Sequence, residues 1–211
     1  LQVGAYTVPT DAEEADGTLT WDSTTVVLVE ASGGGATGTG WTYAPAAAVR
    51  LVRDILRPVV LGTDLMDVPG TSQAMIRAVR NAGRPGMASY AISAVDVALW
   101  DLKARVLGLP LHRLLGTVHG SVPVYGSGGF TSYNQSQLDQ QLEGWLAQSI
   151  PRVKIKIGES WGSCTDRDLE RIHHARNVIG DDVELFVDAN GGYSAKQAVR
   201  VAHAAAQCDV R

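Results

Sequence analysis

The stretch Val153-Lys154-Ile155-Lys156-Ile157-Gly158 decides the fold of the second half of the chain. Successive side chains of a β-strand point to opposite faces, so Lys154 and Lys156 share one face and the β-branched residues share the other. A lysine pair is ordinary on a strand face that meets water, and costly on a face that points into a core. What this face meets therefore determines what the protein does.

Predicted strands and helices alternate through the second half of the chain. The predicted strands cover residues 121–125, 152–158 and 183–188, and the predicted helices cover 134–148, 166–179 and a segment that Ser194 caps. Such alternation is typical of parallel βα units. Since the carboxyl ends of parallel strands meet at one edge, we expect Lys154, Lys156 and Asp188 to converge there.

The first part of the chain has a different pattern, in which strands are followed by helices. A β-branched strand is predicted over 24–30 and a short strand or loop over 38–43, while the acidic, aperiodic segment 11–17 is predicted to be a loop. Helices are predicted over 45–62, 71–81 and 89–107. We therefore expect an α+β domain over residues 1–119 and a βα domain over 120–211.

Composition excludes several classes of protein. The chain has 211 residues, a net charge of −4 and no segment rich in lysine and arginine, so neither nucleic acid nor an anionic membrane is an expected partner. No apolar run is long enough to span a bilayer. Two cysteines are too few for a disulfide framework, so a cytoplasmic protein is expected.

The residues at the predicted strand ends suggest a chemistry. A carboxylate such as Asp188 is a hard oxygen ligand that suits Mg²⁺. Two neighbouring lysines disfavour charge on each other, so one can act as a neutral general base while the other binds a substrate anion. Alternatives remain for each feature alone: a solvated strand face for the lysines, and a turn-forming residue for Asp188. The implied reaction is proton abstraction next to a carboxylate, through an enediolate.

The chain resembles the enolase superfamily, and within it the mandelate racemase / muconate lactonizing enzyme group. Three segments carry the resemblance: residues 153–158, Leu185-Phe186-Val187-Asp188-Ala189-Asn190-Gly191-Gly192, and the helix 91–105. The resemblance implies an α+β capping domain over 1–119, followed by the first three βα units of a (β/α)7β TIM-like barrel. It also implies an essential Mg²⁺.

The resemblance further implies roles for individual residues. Lys156 would be the acid/base residue, Lys154 would favour its neutral form and contact the substrate carboxylate, and Asp188 would be the first metal ligand. Four residues would contact substrate or set specificity, with Ser127 a weaker candidate: Asn190, Ser127, Trp21 and Tyr43.

The expected function is Mg²⁺-dependent abstraction of the α-proton of a small hydroxy acid or sugar acid, giving dehydration, racemisation or epimerisation. The family's other metal ligands and opposing base fall on later strands, so we expect this chain to be part of a longer homo-oligomeric protein. The alternative is a non-catalytic barrel homologue that lacks those ligands. A phosphate-binding loop at 126–129 is a weaker alternative, because it lacks the lysine of a P-loop.

Overall fold

The computed structural model describes residues 1–211, which form two compact units. The first unit comprises Leu1–Pro9 and Ser23–Gly120, and the second comprises Thr10–Asp22 and Ser121–Arg211. The chain thus enters the second unit twice, first with a short hairpin segment and then with its whole C-terminal half. The predicted division into domains after residue 119 stays a prediction.

The first unit contains a three-stranded sheet and a layer of helices. The strands lie in the order β1 (Gln2–Ala15), β2 (Thr20–Gly33) and β3 (Ala36–Tyr43), with β2 and β3 antiparallel. The buried face of β2 packs on the helices through Val27, Val29 and Ala31. The helices are α1 (Ala48–Leu51), which continues as a π-helical turn (Val52–Leu56) into α2 (Arg57–Val60), then α3 (Val68–Ala78), a π-helical segment (Arg84–Ala88), α4 (Ser89–Val106) and α5 (Leu111–Leu114).

Strand β3 lies directly on the backbone of α4, and two glycines permit this. A Cβ atom on Gly40 would lie 2.1 Å from the carbonyl oxygen of Ala94, and one on Gly38 would lie 2.3 Å from that of Ala98. The helix contributes buried small side chains at Ala91, Ala94 and Ala98. The close approach of strand and helix therefore depends on residues without side-chain bulk at both surfaces.

The second unit contains three parallel strands, each followed by a helix. The strands lie in the order β4 (Gly126–Gly128), β5 (Arg152–Lys156) and β6 (Glu184–Asp188). The elements between and after them are α6 (Gln135–Ala147), the turn α7 (Glu159–Gly162), α8 (Thr165–Ile179), α9 (Ala195–Ala204) and a 3₁₀ turn (Ala206–Cys208). An antiparallel sheet followed by this parallel βα sheet is consistent with a capping domain and part of a barrel.

Local sequence signals explain where the helices of the second unit begin. Asn134 and Ser194 each accept a hydrogen bond from a backbone N–H three residues on, and a glutamine there bonds back, which forms a capping box at α6 and at α9. After α9, Val210 pairs with Leu185 in parallel. The backbone at Val210 therefore lies beside β6.

Two predictions of secondary structure are wrong. Residues 11–15 belong to β1 rather than to a loop. Their acidic side chains lack strand periodicity, but their strand pairs with β2. They also bond to the rest of the second unit, where Thr131 N–H donates to the Ala15 carbonyl.

The first parallel strand lies at Gly126–Gly128, whereas residues 121–125 are not in a strand. Here glycine replaces the usual β-branched residues because a Cβ atom on Gly126 would lie 2.2 Å from the Trp145 ring, and one on Gly128 2.4 Å from the Gln141 side chain.

None of the helices combines the length and the apolar character needed to cross a membrane.

Candidate active site

The lysine face of β5 is separated from the core by strand alternation. Val153 and Ile155 are fully buried and pack with the helices of the second unit. Lys154 and Lys156 consequently lie on the opposite face, where their side chains are 19% and 13% exposed. The apolar side of this strand therefore faces the helices of the second unit.

The register of the parallel sheet brings the charged residues together. Lys156 lies directly beside Asp188, and Lys154 lies beside Phe186. The Nζ atom of Lys156 is 2.7 Å from Oδ2 of Asp188, and the Nζ atom of Lys154 is 3.0 Å from the same oxygen. Two ammonium groups therefore share one carboxylate oxygen at the C-terminal ends of β5 and β6.

Asn190 completes this cluster from the turn after β6. Its backbone has a φ of 49°, in the left-handed region that asparagine tolerates better than most residues. In this conformation its N–H donates to Oδ1 of Asp188 at 3.0 Å, and its side-chain oxygen accepts from Lys156 Nζ at 2.8 Å. Asn190 thus orients both the carboxylate and the lysine.

These contacts control the ionisation of Asp188. Partial burial acts to raise the pKa of this carboxyl, but hydrogen bonds from Lys156, the Asn190 backbone and Lys154 outweigh it and lower the pKa to about 2. Asp188 is therefore ionised throughout the physiological range. With both lysines protonated the cluster carries a net charge of +1, which favours binding of an anionic ligand such as a carboxylate.

The other predicted site residues, Ser127, Trp21 and Tyr43, lie in different parts of the structure. Ser127 is exposed and pairs in register with Lys154, so it continues the row that Lys154 and Phe186 form across the sheet. Trp21 belongs to the second unit, where its Nε1–H donates to Glu14 and its ring packs edge-on against Phe130. Tyr43 belongs to the first unit and packs edge-on against Trp41.

Tyr125 is a member of the cluster that sequence analysis missed. Lys154 Nζ lies 5.5 Å from the centre of the Tyr125 ring, which is within cation–π range, and that ring lies 6.2 Å from the Phe186 ring. Its position immediately before β4 places it beside the lysine row. The available signal is the aromatic side chain at position 125, which the sequence pattern places inside the predicted strand 121–125.

The tip of the β1–β2 hairpin lies against the same strand ends. A Cβ atom on Gly17 would lie 2.5 Å from the Ala189 carbonyl oxygen and 2.7 Å from that of Ile157. The Gly17 carbonyl itself accepts a hydrogen bond from Trp161 N–H at 2.9 Å. This contact fixes the hairpin next to the residues that follow Lys156 and Asp188.

Histidines do not contribute to this cluster. His173 and His174 both lie on α8. His174 bonds to Asp139 and Gln135, and His173 lies 3.0 Å from the sulfur of Cys208. The remaining three lie on helices α5 and α9 or in a connection: His112, His203 and His119. No histidine lies at the end of a parallel strand.

Asp188 fits one position of a magnesium site. It is a partly exposed carboxylate, and Mg²⁺ is commonly held by one or two protein carboxylates together with water and substrate oxygens. No group of three or more histidine, cysteine, aspartate or glutamate side chains in the chain is arranged to hold a metal. Asp188 is thus a carboxylate of the kind that such a site uses.

The Gly-rich segment at 126–129 is committed to packing and backbone bonding. The Gly129 N–H donates to Gln141 at 2.6 Å, and its carbonyl accepts from Lys156 N–H and from Arg171. This segment therefore lacks the free, convergent N–H groups that a phosphate-binding loop needs.

Comparison with known proteins agrees with this fold. The model of the mandelate racemase / muconate lactonizing enzyme N-terminal domain matches residues 7–116, and that of the enolase C-terminal domain-like family matches residues 137–211. The chain belongs to the mandelate racemase / muconate lactonizing enzyme family, which confirms the resemblance seen in the sequence.

Relatives in this family include enzymes that act on acid sugars. The chain is 34% identical to the 3,6-anhydro-alpha-L-galactonate cycloisomerase of Streptomyces coelicolor, over 100% of this chain and 59% of the relative. A crystal structure of a mandelate racemase/muconate lactonizing enzyme-like protein from Rubrobacter xylanophilus is 54% identical, with a TM-score of 0.94 over 99% of this chain and 57% of that one.

A third similar protein was solved with a metal. The L-talarate/galactarate dehydratase of Salmonella typhimurium, liganded with Mg and L-lyxarohydroxamate, superimposes with a TM-score of 0.87 at 28% identity, over 99% of this chain and 55% of that one. Magnesium is thus present in a relative of this chain. The chain spans between half and three fifths of the length of these three proteins.

Proposed function

We propose that the protein catalyses Mg²⁺-dependent abstraction of the proton α to the carboxylate of a small hydroxy acid or sugar acid. The product would arise by dehydration, as in an acid-sugar dehydratase, or by racemisation or epimerisation. The observation that carries this proposal is the pair of lysine Nζ atoms that Asp188 and Asn190 hold at the ends of two parallel strands.

Lys156 is the proposed base. Its Nζ atom is fixed by two oxygen acceptors, Asp188 Oδ2 and Asn190 Oδ1, so its orientation is set before substrate binds. Neutral Lys156 takes the α-proton and becomes an ammonium group, while the electron pair of the broken C–H bond moves into the substrate carboxylate to give an enediolate. The same ammonium group then returns a proton to Cα. In the dehydration a general acid protonates the β-hydroxyl, which leaves as water while the electron pair of the enediolate forms the new C=C bond.

Lys154 is proposed to bind the substrate carboxylate. Lys154 lies two residues before Lys156 on the same face of β5. The Tyr125 ring covers its Nζ atom on one side. The positive charge of Lys154 attracts the anionic end of the substrate. Asn190 and Ser127 are proposed substrate contacts, and Trp21 and Tyr43 are proposed determinants of specificity.

Magnesium is the proposed cofactor, and Asp188 is proposed as its first ligand. When bound, Mg²⁺ supplies positive charge where the enediolate develops. We further propose that the whole protein has a capping domain over residues 1–119 and a (β/α)7β barrel of which residues 120–211 form the first three units. The similar structures, each longer than this chain, support this proposal.

Solvent isotope exchange tests the reaction class directly. The full-length protein with Mg²⁺ is incubated in deuterium oxide with a library of hydroxy acids and sugar acids, and deuterium at Cα is measured by mass spectrometry. We expect exchange with at least one acid, and a loss of more than about 1,000-fold in Lys156→Met, since a positioned base contributes about 10²–10⁴ to the rate.

The matched control is Lys196→Met, which removes an exposed lysine from the first turn of α9 and should leave exchange unchanged. Equal exchange in wild type and Lys156→Met would show that another group is the base. If no acid exchanges with the wild-type protein while it binds Mg²⁺ and remains folded, the non-catalytic homologue becomes the better description.

A further inference from the structure

A buried arginine on α8 binds the backbone of the connection between β4 and α6, residues 129–134. Nη2 of Arg171 lies 2.8 Å from the carbonyl oxygens of both Gly129 and Phe130, and Nη1 lies 3.2 Å from that of Tyr133. Arg171 is only 7% exposed. Because its guanidinium group donates to three backbone carbonyls, this residue acts on the course of the main chain rather than on a single side chain.

Arg167 extends these contacts by a further carbonyl. It lies one helical turn before Arg171, so both side chains lie on the same face of α8. Its Nη2 atom is 3.3 Å from the Thr131 carbonyl oxygen, and its Nη1 atom is 2.8 Å from Oε1 of Glu159. Since the Arg167 side chain is 48% exposed, solvent weakens its contacts more than those of Arg171.

One peptide group joins Arg171 to the β1–β2 hairpin. The Phe130 carbonyl that accepts from Arg171 and the N–H of Thr131 belong to the same planar peptide unit. On the opposite side of that unit the Thr131 N–H donates to the Ala15 carbonyl at 2.8 Å. Because the unit is rigid, a residue that fixes its carbonyl also fixes the direction of its N–H, and the two hydrogen bonds strengthen each other.

The same connection makes further contacts with the hairpin. The Thr131 hydroxyl donates to the Asp16 carbonyl at 2.8 Å, and Thr131 is 3% exposed. The Phe130 ring packs edge-on against the Trp21 ring, with their centres 5.6 Å apart. The position of the connection therefore determines where this part of the hairpin lies.

We propose that Arg171 is a positioning residue that holds the hairpin tip, residues 13–21, beside the ends of β5 and β6. The Gly129 carbonyl that it binds also accepts from the Lys156 N–H at 3.0 Å, which ties the connection to the strand of the proposed base. The effect on catalysis rests on the proposed function, in which Trp21 is a determinant of specificity. A displaced hairpin tip changes which acids are used.

Hydrogen exchange of the full-length protein, followed by mass spectrometry, tests the positioning without a substrate. In Arg171→Met we expect the amides of the hairpin tip to exchange at least ~10-fold faster than in wild type, since a hydrogen bond to a charged group typically contributes a factor of this size. The amides of β5 are the internal reference for opening of the whole unit. Arg171→Lys keeps the charge but lacks the planar fork that reaches several carbonyls, so it should give a similar increase. It also serves as a second variant if Arg171→Met does not fold.

Arg176→Met is the matched control. Arg176 lies near the C-terminal end of the same helix and donates to the carbonyls of Gly180, Val183 and Cys208. Its replacement removes a comparable set of bonds between a guanidinium group and the backbone. It should leave the hairpin tip as protected as in wild type.

The effect on specificity is measured with acids that exchange deuterium at Cα. For Arg171→Met we expect the ratio of kcat/KM between two such acids to change by at least ~10-fold, since single contacts discriminate substrates by about 10–200-fold. Arg176→Met should keep the wild-type ratio. A role of Arg171 in stability alone would lower both values of kcat/KM equally and leave their ratio unchanged.

Two results would overturn the proposal. The first is a hairpin tip that exchanges at the wild-type rate in both Arg171 variants, or whose faster exchange is matched by β5, because Arg171 would then only stabilise the unit as a whole. The second is an unchanged kcat/KM ratio in a variant whose hairpin tip is loosened. If no acid exchanges at Cα, the proposed function fails, whereas the hydrogen-exchange comparison still decides whether Arg171 positions the hairpin tip.

Discussion

Replacing Asp188 by asparagine should make the protein less sensitive to acid and less stable at neutral pH. The carboxyl has an ordinary pKa of 3.8, which its surroundings lower to about 2 in the folded protein. Because one pKa unit corresponds to about 1.4 kcal/mol, the contacts of the carboxylate stabilise the fold by about 2 kcal/mol. The Asp188 side chain is 30% exposed, so solvent screens these contacts and the stabilisation of about 2 kcal/mol is an upper limit.

The sign of the pH dependence follows from the depressed pKa. The stabilisation is fully present above the unfolded pKa near 4 and is lost as the pH falls through the folded pKa near 2. Urea denaturation of the metal-free full-length protein at several pH values between 2 and 7 measures it. Wild type should lose this stability between pH 4 and 2, whereas Asp188→Asn should lack it at every pH.

Asp182→Asn is the control for this measurement. It removes an exposed carboxylate from the turn before β6 and should keep the wild-type pH profile. The reasoning fails if Asp188→Asn shows the same loss of stability between pH 4 and 2 as wild type does. It also fails if the variant is as stable as wild type at pH 7, since the two lysines would then not depend on this carboxylate.

Three further predictions concern packing, capping and the metal. Gly40→Ala should lower the free energy of unfolding of the first unit, measured in urea, by about 1–3 kcal/mol, because its Cβ atom would lie 2.1 Å from the Ala94 carbonyl oxygen. The control is Gly144→Ala on α6, where a Cβ atom meets nothing within 4 Å. This variant should stabilise the protein slightly. Ser194→Ala should cost about 1 kcal/mol through loss of the α9 capping box, and a Ser194→Asp variant should restore most of it. Calorimetric titration with Mg²⁺ should show weaker binding to Asp188→Asn than to wild type, and equal affinities would exclude Asp188 as a ligand.

Strand periodicity predicted the centre of the candidate site well. Alternation alone separated Lys154 and Lys156 from Val153 and Ile155, and the βα pattern placed Asp188 on the neighbouring strand. Both inferences depend on backbone geometry that holds for any parallel sheet, so they carried over to the structure directly.

Features that depend on tertiary contact were not predictable from local sequence. Gly126 and Gly128 look like a turn in sequence, but they form a strand because the side chains of α6 occupy the space where Cβ atoms would be. Asp11 to Ala15 look like a loop, but they extend β1 because the β2 backbone and Thr131 provide hydrogen bonds. In both cases the decisive partner is distant in the sequence.

The hairpin tip is held almost entirely through its main chain. The carbonyls of Glu13, Ala15 and Asp16 accept bonds from Ser132 and Thr131, and the Gly17 carbonyl accepts from Trp161. Apart from Gly17, the anchoring places few demands on side-chain identity. Evolution or a directed library can therefore exchange the side chains of residues 18–20 without detaching the hairpin, which separates the attachment of this segment from the side chains that it presents.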